Sequence, residues 1–378
     1  MDFNLNPQQI DLRNRIRAFA ERELAPTVSE RDEAGTFDRW VFDKCVEAGL
    51  AGLPFDRQYG GGGGSLLDYI IALEEIGRVE SAQVLVLASH LAPMTCIMQH
   101  GTEDQKERWL VPLCKGERLA CFSITEPGAG SDPASMKSTA VLEGDHYVLN
   151  GKKTFATNSG EADSYVIFVS TDLEAGGRGV TAFLMSKGTP GLSFGDPIRK
   201  MGVRTSVQRE VYLENVRVPA EDRLGEEGKG LRIALAALDV GRIEIAAQGV
   251  GLAQGAYDFA LNHAKQRQQF GQAIGQNQAV SFMLADMHTA IEAARFLTYR
   301  AACNYDEGKP FAREAAMAKL FATDTAMQVT TDAVQLLGGY GVTKASPVER
   351  MMRDAKVTQI YEGTNQVQRM VIAGHIMK

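Results

Sequence analysis

Leu119-Ala120-Cys121-Phe122-Ser123-Ile124-Thr125-Glu126-Pro127-Gly128-Ala129-Gly130-Ser131-Asp132 divides the chain into two kinds of sequence. Before it, apolar residues recur at helical spacing: Ile10, Leu12, Ile16, Phe19, Ala20 and Leu24, then Trp40, Val41, Cys45 and Ala48. Further helices are expected at 66–76, 83–99 and 102–114, the last opening on the capping box Thr102-Glu103-Asp104-Gln105. From Ala120 the runs become short and β-rich: 120–125, 139–142, 147–150, 165–170, 180–185 and 207–218, separated by Gly, Asp, Asn and Pro. After Gly228-Lys229-Gly230 the helical period returns, over 231–265, 274–306, 311–337 and 364–377. The expected fold is therefore mainly α with a central β domain, divided as 1–118, 119–228 and 229–378.

The chain has 378 residues, which exceeds what one core usually serves. Its formal charge is −7, from 40 basic and 47 acidic residues, with no block of like charge, which argues against nucleic acid or an anionic membrane as partner. Met1 to Pro7 reads as neither signal nor transit segment, and no apolar run looks long enough to insert in a membrane, so a cytoplasmic protein is expected. The five cysteines are scattered, without metal or redox spacing, and read as reduced and mostly buried. Five consecutive glycines, Gly60 to Gly64, lack the Lys-Ser/Thr ending of a phosphate loop and read as a flexible turn.

Several short stretches could carry chemistry, and each also has an ordinary structural reading. The two glycines and the hydroxyls of 123–132 suit a backbone approaching a flat or anionic ligand, or simply a turn. Phe155 and Thr157 fall on one face of a strand, where a ring could stack, or where a strand merely ends. Arg267 in Arg-Gln-Gln-Phe-Gly could pair with phosphate or be a solvated charge, and Gln335 to Gly341 resembles a glycine-capped helix end. The first late helix is rich in Gly and Ala, so a helix or a ligand packs close to it. Thr364 reads as the N-cap of the last helix, leaving Glu362 at the end of the incoming loop.

Taken together, Ile-Thr-Glu-Pro-Gly-Ala-Gly-Ser-Asp at 124–132, Arg-x-x-Phe-Gly at 267–271, Gln-Leu-Leu-Gly-Gly-Tyr-Gly at 335–341 and Ile-Tyr-Glu-Gly-Thr-Asn at 360–365 closely resemble the acyl-CoA dehydrogenases, in order and over the whole chain. The resemblance implies a helical domain, a middle β-barrel and a C-terminal four-helix bundle. It implies a homotetrameric FAD enzyme that oxidises acyl-CoA to trans-2-enoyl-CoA and passes electrons to an electron-transfer flavoprotein, in fatty acid β-oxidation or branched-chain amino acid catabolism.

By position, the resemblance assigns the flavin contacts to Cys121, Phe122, Ile124, Thr125, Gly130, Ser131, Phe155 and Thr157. It assigns pyrophosphate and adenosine contacts, partly across a subunit boundary, to Arg267, Phe270, Gln278, Gln335, Leu336, Gly338 and Gly339, and a closing contact to Thr364, Asn365 and Gln366. Ser131, Asp239, Arg242, Tyr361 and Gly363 match substrate contacts, and Glu362 matches the base. Some relatives carry the base at the position of Gly241, which has no side chain to serve. Glu244, three residues on, could line the acyl pocket or form an ion pair. No cation follows Arg78-Val79-Glu80-Ser81 to hold a glutaryl carboxylate, and an oxidase would usually be longer. The resemblance leans to short or short branched-chain substrates. The alternative is a flavin-binding relative without dehydrogenase activity.

Overall fold

Asn6 and Gln9 form a reciprocal cap that starts helix α1, Pro7–Phe19. The computed structural model describes residues 4–377. The N-terminal third continues with α2 (Val28–Ala34), α3 (Arg39–Glu47), α4 (Leu66–Gly77), α5 (Ser81–His100), α6 (Glu103–Gln105) and α7 (Val111–Cys114). Helix α2 escapes sequence reading because only Val28 and Asp32 of its seven residues are buried, too few to show a period. The five glycines are not a loose turn. The N–H groups of Gly61 to Gly64 donate to carbonyls of Asp56, Gly52, Phe55 and Leu53, and a Cβ on Gly61 would lie 2.2 Å from the Phe55 carbonyl oxygen. Helix α5 has the length and apolarity of a membrane-crossing segment, a property the sequence reading did not credit to any run. It is an interior helix here, with 89% of its most apolar window buried.

The middle of the chain supplies β1 (Ala120–Ser123), β2 (Thr139–Glu143), β3 (His146–Thr157), β4 (Ser164–Ser170), β5 (Val180–Ser186), β6 (Leu192–Phe194), β7 (Gln208–Pro219) and β8 (Arg223–Leu224). They form one sheet in the order β6-β7-β3-β2-β4-β5-β8, curled so that β5 also meets β7. Strand β1 pairs in parallel with the first half of β4, while β2 joins the same edge at Ser170. The 123–132 turn leaves the sheet between them. Helix α5 holds β1 through buried groups: His90 Nδ1 accepts from the Ala120 amide, and the Asn158 side chain donates to the Val86 and Ala120 carbonyls. Burial pushes the His90 pKa down to about 4, so it is a neutral structural ring.

The C-terminal part contains α8 (Gly230–Gln266), a two-residue hairpin of β9 (Gln268–Gln269) and β10 (Gln272–Ala273), α9 (Gln278–Asp306), α10 (Ala312–Leu337), α11 (Pro347–Thr358) and α12 (Asn365–Ile376). Helix α11 was not expected. Its charge-rich sequence packs on α8 and α10 and buries Arg350, Asp354 and Thr358 along with the apolar Val348, Met351 and Ala355. Helix α8 is the central element, packing on α10, α4, α5 and α9. Its small residues answer to neighbouring helices: a Cβ on Gly251 would come 2.2 Å from the Glu74 carbonyl oxygen on α4. All five cysteines are free, four of them buried.

Candidate functional site

Glu362 ends the turn between α11 and α12 with a left-handed φ of 54°, costly for a residue with a side chain and therefore held by its surroundings. The holding groups are identifiable. Thr364 accepts from the Val367 amide as the N-cap of α12. Gln368 Nε2 donates to the carbonyls of Glu362 and Gly363, each at 3.0 Å. Lys319 of α10, fully buried, donates to the Gly363 carbonyl at 3.0 Å and to Asn365 Oδ1 at 2.8 Å. Asn365 in turn donates to Thr323 and Asp324. Of the three residues expected to close on a cofactor, Asn365 thus has its amide spent inside the chain, Thr364 accepts in the cap and keeps its hydroxyl proton to donate, and Gln366 is exposed. The carbonyl of Gly363 is likewise taken, leaving this residue a place in the turn rather than a free acceptor.

The carboxyl of Glu362 points at α8. A Cβ on Gly241 would come within 3.1 Å of Oε2, so the glycine leaves the space that the carboxyl fills. Oε2 is wholly buried and has no hydrogen-bond partner among the described residues, although Glu362 as a whole keeps some exposure. Burial raises its pKa to about 7, against the opposing pull of Arg242 and Lys319. Burial lowers Lys319 to about 7, against the pull of Glu362 and Asp324. Arg242 pairs with Asp239 one turn back along α8, and burial raises Asp239 despite that cation. Tyr361 donates to Gln248 Oε1 at 2.5 Å and packs against a small apolar cluster containing Leu85, Val203 and Ile245.

The β domain brings the other two patches together. The Thr154 amide donates to the Thr125 carbonyl at 2.9 Å, so the 123–132 turn lies against the end of β3. Glu126 fixes the turn by accepting from the amides of Lys137 and Ser138 and from the buried Lys153 ammonium at 2.7 Å. Phe155 does not share an ordinary strand face with Thr157. The register slips between Lys153 and Ala156, placing Thr154 and Phe155 opposite Glu210 alone, and Phe155 takes φ 54° with its ring 61% exposed. Thr157 Oγ1 accepts from Gln208 Nε2 at 3.0 Å, which leaves the hydroxyl proton free to point outward. Gln208 also donates to Ser206, and Val203 of the same loop reaches the Tyr361 cluster, so this loop joins the Thr157 patch to the Glu362 turn. Cys121 is buried and offers only backbone; Phe122 packs on Phe168; Ile124 is nearly buried; Gly130 and Ser131 stand exposed on the turn. Glu126 sits inside the 124–132 motif but drew no role of its own there, and Lys319, Gln208 and Lys153 had no signal in spacing, because each meets its partners only through the fold.

Arg267, Phe270, Gln278, Gln335, Gly338 and Gly339 gather at the opposite end of the bundle, where the His263 ring stacks on Tyr340. Phe270 is 97% exposed, and a Cβ on Gly338 or Gly339 would meet nothing within 4 Å, so this surface is open to a bound group. Leu336 turns inward and offers backbone alone. Arg267 lies 26 residues beyond Gly241, and at 1.5 Å per residue α8 separates them by about 39 Å. Within one chain this end does not reach Glu362.

Three family descriptions cover the chain: "Acyl-CoA dehydrogenase, N-terminal domain" matches 6–117, the middle domain 121–216 and the C-terminal domain 228–377. A short-chain specific acyl-CoA dehydrogenase of Clostridium acetobutylicum is 48% identical, with 100% of both chains covered. The solved butyryl-CoA dehydrogenase of Megasphaera elsdenii is 48% identical with TM-score 0.98, covering 100% of both chains. A chain in a structure described as the electron transferring flavoprotein of Acidaminococcus fermentans is 49% identical, with TM-score 0.99 and 100% coverage of both. Sequence, three-domain order and superposition agree, and the chain belongs to the acyl-CoA dehydrogenase family.

Proposed function

We propose that the chain is an FAD-dependent acyl-CoA dehydrogenase acting on short acyl thioesters, with Glu362 as the α-proton base. The observation that carries the reading is the unpartnered Glu362 Oε2, sealed beside Gly241 and given a pKa of about 7 by burial. A general base is most effective when its pKa lies near the working pH. The carboxylate takes the α-proton onto its oxygen, and the C–H electron pair is released into the thioester as an enolate forms. Arg242 and Lys319 favour the ionised carboxylate, while the surrounding burial excludes water that would compete for it. Gln368 holds the Glu362 carbonyl and Lys319 that of Gly363, and the Glu362 N–H in the turn so fixed would donate to the thioester oxygen.

The residues present fit a flavin. The exposed Phe155 ring offers a face, the Thr157 hydroxyl a donor, and the turn at Gly128 and Gly130 an open backbone. A flavin bound there supplies the two-electron acceptor for the β-hydrogen. Ser131 and Asp239 would meet the CoA arm, and Arg267 with Gln335 to Gly339 of a second copy would hold the pyrophosphate and adenosine, which favours a homo-oligomer. Electrons would pass to an electron-transferring flavoprotein. The butyryl-CoA dehydrogenase likeness favours a straight short chain over a branched one. Mixing the yellow protein anaerobically with acyl-CoAs of rising length tests the reading: bleaching by butyryl-CoA is expected, and no bleaching by any member would return the chain to a flavin-binding protein without this activity.

A further inference from the structure

A second carboxyl lies deeper in the same place. Glu244 is 1% exposed, and among the described residues its buried Oε1 has no hydrogen-bond partner and its carboxyl no ion pair. The ion-pair reading open from the sequence is thus not what the structure holds. An acid left unmatched in an interior costs stability unless something else uses it. Three observations say what that is. Glu244 follows Gly241 by three residues on α8, hence on nearly the same face and about 4.5 Å further along the axis. It lies on the part of α8 that stays buried beyond Gly241, without a break to Ala253. Its carboxyl lies close enough to Glu362 to interact with its charge, and likewise with the fully buried Tyr69 of α4 and the partly buried Tyr305 of α9. Burial, reinforced by the Glu362 charge, holds its pKa well above the usual carboxylate range, so it carries a proton and can donate.

We propose that Glu244 is a specificity-determining residue of the acyl site, its carboxyl forming a deep polar wall that selects short acyl chains ending in an uncharged hydrogen-bonding oxygen over plain hydrocarbon of the same length. This rests on the dehydrogenase reading above, since it uses Glu362 as the origin of the chain. An acyl group entering past Glu362 and running inward along α8 reaches Glu244 within its own short length. A terminal hydroxyl satisfies the orphaned carboxyl, whereas a methyl leaves it buried and unpaired, which is the situation in which polar sites discriminate most strongly. A terminal carboxylate is refused, because it adds a third acid to a space that already holds two.

Pentanoyl-CoA, its ω-hydroxy analogue and glutaryl-CoA each carry five acyl carbons and make the test. With the flavin-loaded wild type, kcat/KM is expected to be highest for the ω-hydroxy chain and lowest for glutaryl. In Glu244→Leu the ratio of ω-hydroxy to pentanoyl should fall by roughly ten- to a hundredfold, with flavin content unchanged. Glu244→Gln, which still donates, should keep the preference. A merely structural role would move both substrates together. Wild type preferring pentanoyl-CoA, or an unchanged ratio in Glu244→Leu, overturns the proposal. Should the leucine variant lose its flavin, Glu244→Met is measured in its place, and the wild-type preference alone still decides. Failure of every acyl-CoA to reduce the flavin would instead contradict the dehydrogenase reading itself.

Discussion

Glu362 is a common residue type in uncommon surroundings. Read alone, a glutamate before a helix start complements the dipole; here a left-handed turn aims it into a space kept clear by Gly241. The motif and the glycine were visible in the sequence, and so was the cap at Thr364. Lys319 was not, because 43 positions separate it from Glu362 and only the packing of α10 beneath the turn brings its charge near. The rate of proton abstraction should rise with pH through about 7, as Glu362 loses its proton. Lys319→Met should move that midpoint upward, read from the pH profile of flavin bleaching, because a cation favouring the carboxylate is gone. Stability runs the other way. A carboxyl whose folded pKa is raised from 4.5 to about 7 contributes stability below 4.5 that is lost as pH rises through 7. Glu362→Gln should lack that loss, measured as denaturation midpoints at pH values on either side.

Among the elements, the long helices were the most legible, since α8, α9 and α10 each carry their period over many turns. Short or polar elements were not: α2 and β6 bury too few side chains to show a pattern, and the buried face of α11 includes Arg350, Asp354 and Thr358 beside Val348, Met351 and Ala355, so its burial does not follow apolar spacing. The bulge in β3 was hidden for another reason. Its cause is the Thr154 amide bonding to Thr125, a contact across the sheet that strand periodicity does not encode. That bulge and the Lys153–Glu126 pair set the two patches side by side. The ammonium is fully buried, and burial lowers its pKa to about 8. Lys153→Met leaves Glu126 in a nearly dry site without its cation, and should cost about 3–5 kcal/mol in chemical denaturation. It should also weaken flavin retention, because the 123–132 turn loses its anchor.

Across the whole molecule, the order helical, β, helical could be read directly from where apolar spacing changes at Leu119 and Gly228. The relation between distant site residues could not, because motifs have no coordinates. The structure separates Arg267 from the Glu362 turn by most of the length of α8, about 39 Å, so a flavin contacting both needs two copies of the chain. Co-expression tests this. Glu362→Gln and Arg267→Glu chains, each inactive alone, should regain activity when mixed, because a shared site can take its base from one chain and its arginine from the other. Mixed assemblies that stay inactive would place the whole flavin site in one chain.

The most direct test of Glu362 as base is anaerobic stopped-flow reduction of the flavin-loaded protein by butyryl-CoA, wild type against Glu362→Gln. Equal flavin content is expected, with a loss of about a hundred- to ten-thousandfold in the bleaching rate, the scale of a general base. Comparable bleaching in both proteins would contradict it and move the base elsewhere, with Glu244 the first residue to examine.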